Sequence, residues 1–304
     1  MSDKIRAGLP AIVLLLGGLA AGSVSGATLP PPAATPSPAQ VPSGAIAAAV
    51  VPSGEIEAGA PAAGRHGDVV APPGSRPFGR SYGRWAAAWW RWAVETAAPD
   101  HPLLDPHSAD CDAGDQPGHV RFLGGNFTGG AGDPPVRRIC KVRAGTALFF
   151  PLANSVWVST PASPACGIAA DPWYGATPRD PRFQQFRHDI VDPVGQVPAN
   201  RRGDLTLQVD GKAVRGLLRL YVRSPVFFRT VLPDDNILDA LNGRDCFPSI
   251  RVQPNVGWGY YVFLRPLPPG RHTIRWTANA RLPLFPPDPE HQDVTYDLIV
   301  VPRG

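Results

Sequence analysis

The chain has 304 residues, among them 38 Pro and 32 Gly, with 43% hydrophobic residues and a formal net charge of +4. That apolar share can build a core, and the length holds one large domain or two small ones. Basic residues occur in runs no longer than the pairs Arg137-Arg138 and Arg201-Arg202, which excludes a linear nucleic-acid-binding patch and removes nucleic acid from the expected partners.

At the N-terminus, Lys4 and Arg6 precede an apolar stretch from Ala7 through Ala21, and small residues follow up to Ser25-Gly26-Ala27. A basic region, an apolar region and a small-residue cleavage site predict a secretory signal over residues 1–27. Left uncleaved, the same stretch would be the chain's one membrane tether. Residues 28–78 are rich in Ala, Pro, Gly and Ser, and carry no Cys, Trp or Tyr and no Phe before Phe78. Such a composition cannot repay the entropy of folding and predicts a disordered, semi-extended spacer.

The composition step at Phe78 predicts one globular domain over residues 79–304, which holds all eight Trp. Tyr82, Trp85, Trp89 and Trp92 recur at helical spacing around the helix formers Ala86 to Ala88, with Ser81 as the cap and Pro99 as the stop. Beyond this helix the period changes to two. Thr146 to Phe150 form an apolar strand, and Leu205, Leu207 and Val209 alternate into the hairpin signal Asp210-Gly211, with Gly216 to Val222 as the returning strand. A short helix from Asn236 to Leu241 is capped by Asp234 or Asp235 and stopped by Gly243. Trp258 to Leu264, His272 to Trp276 and Val294 to Val300 are further alternating strands. Closely spaced strands without a βαβ rhythm predict a mainly β domain, an antiparallel β-sandwich or jelly roll. One Trp-rich N-terminal helix and a short second helix would pack against it.

Cys111, Cys140, Cys166 and Cys246 contain no C-x-x-C and allow three pairings. In an exported chain disulfides are the default. The expected pairs are Cys111–Cys140 and Cys166–Cys246, each tying an irregular Pro-rich segment to a neighbouring strand.

Candidate chemistry is sparse. Gly79-Arg80-Ser81-Tyr82-Gly83 matches the G-x-S-x-G nucleophile elbow, but no buried strand precedes it, so Ser81 is read as a helix cap. The loop Asp100–His119 concentrates imidazoles and carboxylates, and His101, Asp105, His107 and His119 are its candidate metal ligands. A glycosidase pair needs two acids held apart in a cleft. The domain's only glutamates are Glu95 and Glu290, so aspartates would have to serve, and the adjacent Asp234 and Asp235 read as helix caps. Trp90 lies off the helix stripe, and Trp157, Trp173 and Tyr174 fall in aperiodic segments. Exposed aromatics stack on sugar rings, so these four are the candidate binding residues.

Ser81-Tyr82-Gly83-x-Trp85-x-x-x-Trp89-Trp90-x-Trp92, Pro102-Leu103-Leu104-Asp105 and Leu148-Phe149-Phe150-Pro151 resemble the start of a group of uncharacterised secreted bacterial proteins. The resemblance covers residues 79–155 and implies export, a Trp-rich helix and a Cys-bounded loop. Residues 256–302, with Pro269-Gly270-x-His272-x-Ile274 and Val294-Thr295-Tyr296, are similar to the closing strands of Ig-like extracellular modules. The expected function is an exported cell-envelope or extracellular module, without a resident cofactor, that binds glycan or another envelope component through aromatic residues. The alternative is a secreted hydrolase, metal-dependent in one form, that uses the His/Asp loop.

Overall fold

The computed structural model describes residues 13–15, 69–104, 116, 118–126, 135–196, 204–280, 282–284 and 290–302. The chain divides into one unit of residues 1–19 and 66–304, and another of residues 20–65. The second unit, which holds most of the expected spacer, lies outside the described residues.

The strands are, in chain order, Val13–Leu15 (β1), Val120–Phe122 (β2), Val136–Arg143 (β3), Ala147–Val158 (β4), Asp204–Val209 (β5), Lys212–Ala213 (β6), Tyr221–Arg223 (β7), Thr230–Leu232 (β8), Ile250–Val252 (β9), Asn255–Leu264 (β10), Gly270–Ala280 (β11) and Glu290–Val301 (β12). One sheet runs β1-β4-β10-β7, with β2 parallel to β4. The other runs β3-β12-β11-β5-β6, with β3 parallel to β12. A third sheet is the β8-β9 pair. The mainly β sandwich-like architecture is as expected, and the two parallel pairings are the departures from an antiparallel ladder. β1 falls inside the apolar N-terminal stretch and pairs antiparallel with Ser155–Trp157 of β4. No described helix is long and apolar enough to cross a membrane.

Helix α1 spans Tyr82–Glu95, with the Ser81 hydroxyl accepting the Arg84 N–H at 3.4 Å. Its polar edge is narrow, consisting of Arg84, Arg91 and Glu95, while Tyr82, Trp85, Trp89, Trp90 and Trp92 are all buried. The helix lies on one face of the first sheet and the second sheet lies on the other. Phe149 and Phe263 meet Trp85 on the helix side, at ring separations of 6.3 and 5.6 Å. Phe150 stacks on Trp276 of β11 at 4.9 Å on the opposite side. This three-layer order buries every residue of β4 and β10, which therefore lack the alternation of a half-buried strand.

Three local expectations are corrected. Asp210 and Gly211 both take positive φ, as a type I′ turn needs, but the returning strand is only β6. Gly216, at φ 77°, opens a 3₁₀ turn over Leu217–Leu220, and Tyr221–Arg223 joins the other sheet. The short helix Ile237–Asn242 (α4) is capped by Asn236, whose side chain accepts the Asp239 N–H at 3.0 Å, and not by Asp234 or Asp235. Two further helices were not expected: Pro181–Phe186 (α2) runs through a π-turn, Arg187–Val191, into Asp192–Gly195 (α3). The described fold also includes residues 69–78, since Val70 bridges Leu264 and the Ala71 N–H donates to the Phe263 carbonyl at 2.9 Å. The sequence places the domain boundary near residue 79.

Cys166 and Cys246 form a disulfide with a Cα–Cα distance of 5.6 Å, the expected pair. Cys140 is also disulfide-bonded, and Cys111 lies outside the described residues. Disulfides form and persist in oxidising environments.

Candidate functional site

Three of the four expected binding aromatics are core residues, and that expectation is corrected. Trp90 is 0% exposed and its indole N–H donates to the Tyr261 hydroxyl at 2.8 Å. Trp157 is buried and donates to Asp171 Oδ2 at 2.7 Å. Trp173 is buried and packs edge-on against Trp157 at 5.5 Å. Tyr174 is half-buried and its hydroxyl donates to the Arg251 carbonyl at 3.3 Å. None of the three Trp rings presents a face to a sugar.

Asp171 holds this second aromatic cluster together, accepting the Trp173 N–H at Oδ1 as well as the Trp157 indole at Oδ2. Burial raises its pKa above the ordinary carboxylate value, and the hydrogen bonds from Trp173, Trp157 and Ser159 offset only part of that. Both oxygens face the interior, so Asp171 is a structural anchor.

Among the expected metal ligands, His101 is also corrected. It is buried, with Nε2 against the Ala93 carbonyl at the end of α1, while Nδ1 accepts the Leu103 N–H at 3.1 Å. This arrangement requires the neutral tautomer with the proton on Nε2 and leaves no lone pair for a metal. Desolvation, opposed by the Ala93 hydrogen bond and reinforced by the Arg138 charge, pushes its pKa down to about 4. Asp105 and His107 lie outside the described residues. His119 is exposed and its ring lies parallel to Phe78, with centroids 5.9 Å apart. Among the described residues no three His, Cys, Asp or Glu side chains converge on a metal position.

The surface that stands out instead follows residues 69–78. Phe78 is 50% exposed and sits at φ 49° and ψ 35°, a left-handed conformation uncommon for an aromatic residue. It is wedged between His119 and the buried Phe263, whose ring is 6.1 Å away. Strained backbone of this kind persists only where its surroundings over-determine it. Here the Trp85 indole donates to the Pro77 carbonyl at 3.0 Å, and the Tyr82 hydroxyl donates to the Ala71 carbonyl. Both anchors come from the first turn of α1.

Beside Phe78 is a hollow of about 310 Å³ lined by Arg76, Pro77, Phe263 and Arg265. A second, of about 410 Å³, shares Ala71 with it and lies between Val70–Pro73 and Ala213–Leu220. A third, of about 210 Å³, shares Val214 with the second and is lined by Lys212, Leu267 and His272. The three hollows therefore lie side by side along Val69–Phe78 and together make up the candidate groove. His272 braces its far end, with Nδ1 on Asp210 at 2.8 Å and Nε2 on the Pro268 carbonyl at 2.9 Å. Burial alone would lower the His272 pKa, but the hydrogen bonds to Asp210 and Pro268 and the Asp210 charge raise it overall.

Composition alone places Phe78 at the last position of the expected spacer, next to the step that marks the domain boundary. The visible signal was the lone aromatic at the end of an aromatic-free stretch. The chain matches no family model, no curated protein and no solved structure.

Proposed function

We propose that this is an exported cell-envelope or extracellular module that binds glycan or another envelope component. The ligand lies in the groove along Val69–Phe78. The observation that carries this reading is Phe78, an aromatic ring held half exposed by a strained backbone above a groove with an apolar floor. An aromatic face beside recessed apolar surface offers a sugar ring both stacking and C–H contacts. The N-terminal signal pattern and the disulfides support export.

Retention of the full chain on immobilised glycans is the test, with Phe78→Ala as the site variant. Because Phe78 is exposed and lies outside the core, the variant should fold and lose retention by about tenfold. Equal retention of variant and wild type would remove the groove from the account.

A further inference from the structure

The groove is basic along its whole length, although no stretch of the sequence is. Lys212, Arg215, Arg219, Arg265 and Arg76 line its three hollows. All five are exposed. Among the described residues none of the five stands in an ion pair. The single acid in the lining, Asp210, is engaged by His272 and by the Thr273 N–H at 2.9 Å. Uncompensated like charges facing one depression repel each other, and an anion laid among them relieves that repulsion.

Resting on the glycan-binding reading above, we propose that the groove binds an acidic polysaccharide. Its carboxylates pair with the row from Lys212 through Arg215, Arg219 and Arg265 to Arg76, and one sugar ring packs on Phe78. The shape of the surface separates this ligand from other polyanions. Single-stranded nucleic acid is held by successive aromatic platforms, one per base. Here one exposed ring, Phe78, lies at one end of the row. An anionic membrane favours a convex or flat basic face with an apolar wedge, whereas these cations rim a recess between two chain segments. A carboxylated glycan supplies charge at each sugar along an extended chain, and an apolar ring face besides.

The test is a binding titration of the full chain with polygalacturonate and with its fully methyl-esterified, uncharged form. The variants are Arg215→Ala/Arg219→Ala and a charge-matched control, Arg187→Ala/Arg251→Ala, at exposed positions outside the groove. The proposal expects binding to polygalacturonate that weakens with salt. The groove variant should weaken it five- to tenfold or so, the control should leave it unchanged, and the esterified polymer should be held far more weakly. Equal binding of both polymers, insensitive to the groove arginines but lost in Phe78→Ala, would overturn the acidic ligand and leave the glycan reading intact. Binding of neither polymer, together with no retention on other glycans, would overturn both. Tighter binding to phosphatidylglycerol vesicles or to a single-stranded oligonucleotide, weakened by the same groove variant, would overturn the polysaccharide in favour of that polyanion.

Discussion

The Trp90 indole fills the space that a side chain at residue 257 would need: a Cβ on Gly257 would fall 2.2 Å from the Trp90 Cδ1. Glycine inside a strand normally weakens it, so replacement by Ala should otherwise be neutral or stabilising. Here the clash decides the sign. Gly257→Ala should destabilise the protein by about 1–3 kcal/mol in urea unfolding. Trp90→Phe should recover part of that loss in a double-mutant cycle. Additive effects would show that the two positions do not meet.

This pair also explains what the sequence could and could not reveal. Helix α1 was legible from its own residues, since Ser81, Ala86 to Ala88 and the Tyr82–Trp85–Trp89–Trp92 stripe are local signals. Trp90, off that stripe, looked available to a ligand because nothing nearby marks Gly257 as its socket. β11 and β12 were legible from alternation, being half-buried, but the full extent of β4 and β10 was not, since both of their faces are covered. β3 escaped because Arg138 occupies an inward position of its ladder. There its guanidinium donates to the Pro102 carbonyl at 2.6 Å and to the Gly124 carbonyl at 2.9 Å. The basic groove was hidden for the same kind of reason: its five cations come from separate stretches that meet only after folding.

Acid should unfold the protein partly through His101. Its folded pKa, about 4, lies below the ordinary value near 6.5. The unfolded chain therefore binds this proton first, and stability falls as pH drops from about 6.5 towards 4. The contribution lost across that window is on the order of 3 kcal/mol. An NMR titration should show the imidazole neutral at pH 5 with the proton on Nε2, and a ring protonated at pH 6 would contradict the assignment.

Removing the Asp171 carboxylate should cost more than its exposed neighbours would. Asp171→Ala leaves the Trp157 indole N–H and the Trp173 N–H without their acceptor inside the core. The expected loss is about 2–4 kcal/mol, with a change in near-ultraviolet dichroism from Trp157. A variant as stable as wild type would mean that water replaces the carboxylate there.

The Cys166–Cys246 bridge spans 80 residues, and in the chain-entropy account a loop of that size contributes up to about 4.5 kcal/mol. Cys166→Ser/Cys246→Ser should lower the thermal midpoint in line with that figure while retaining the strand content seen by circular dichroism. Unchanged thermal stability would place the bridge outside the cooperative fold.

The central claim, that ligand lies along Val69–Phe78, is tested most directly by hydroxyl-radical footprinting of the full chain with and without polygalacturonate. The account predicts protection of Phe78, which lines the first hollow, and of His119, whose ring lies against it, with exposed Val231 and Leu284 as unprotected references. Phe78 and His119 oxidised equally with and without saturating polymer, with protection elsewhere, would move the binding face off this groove.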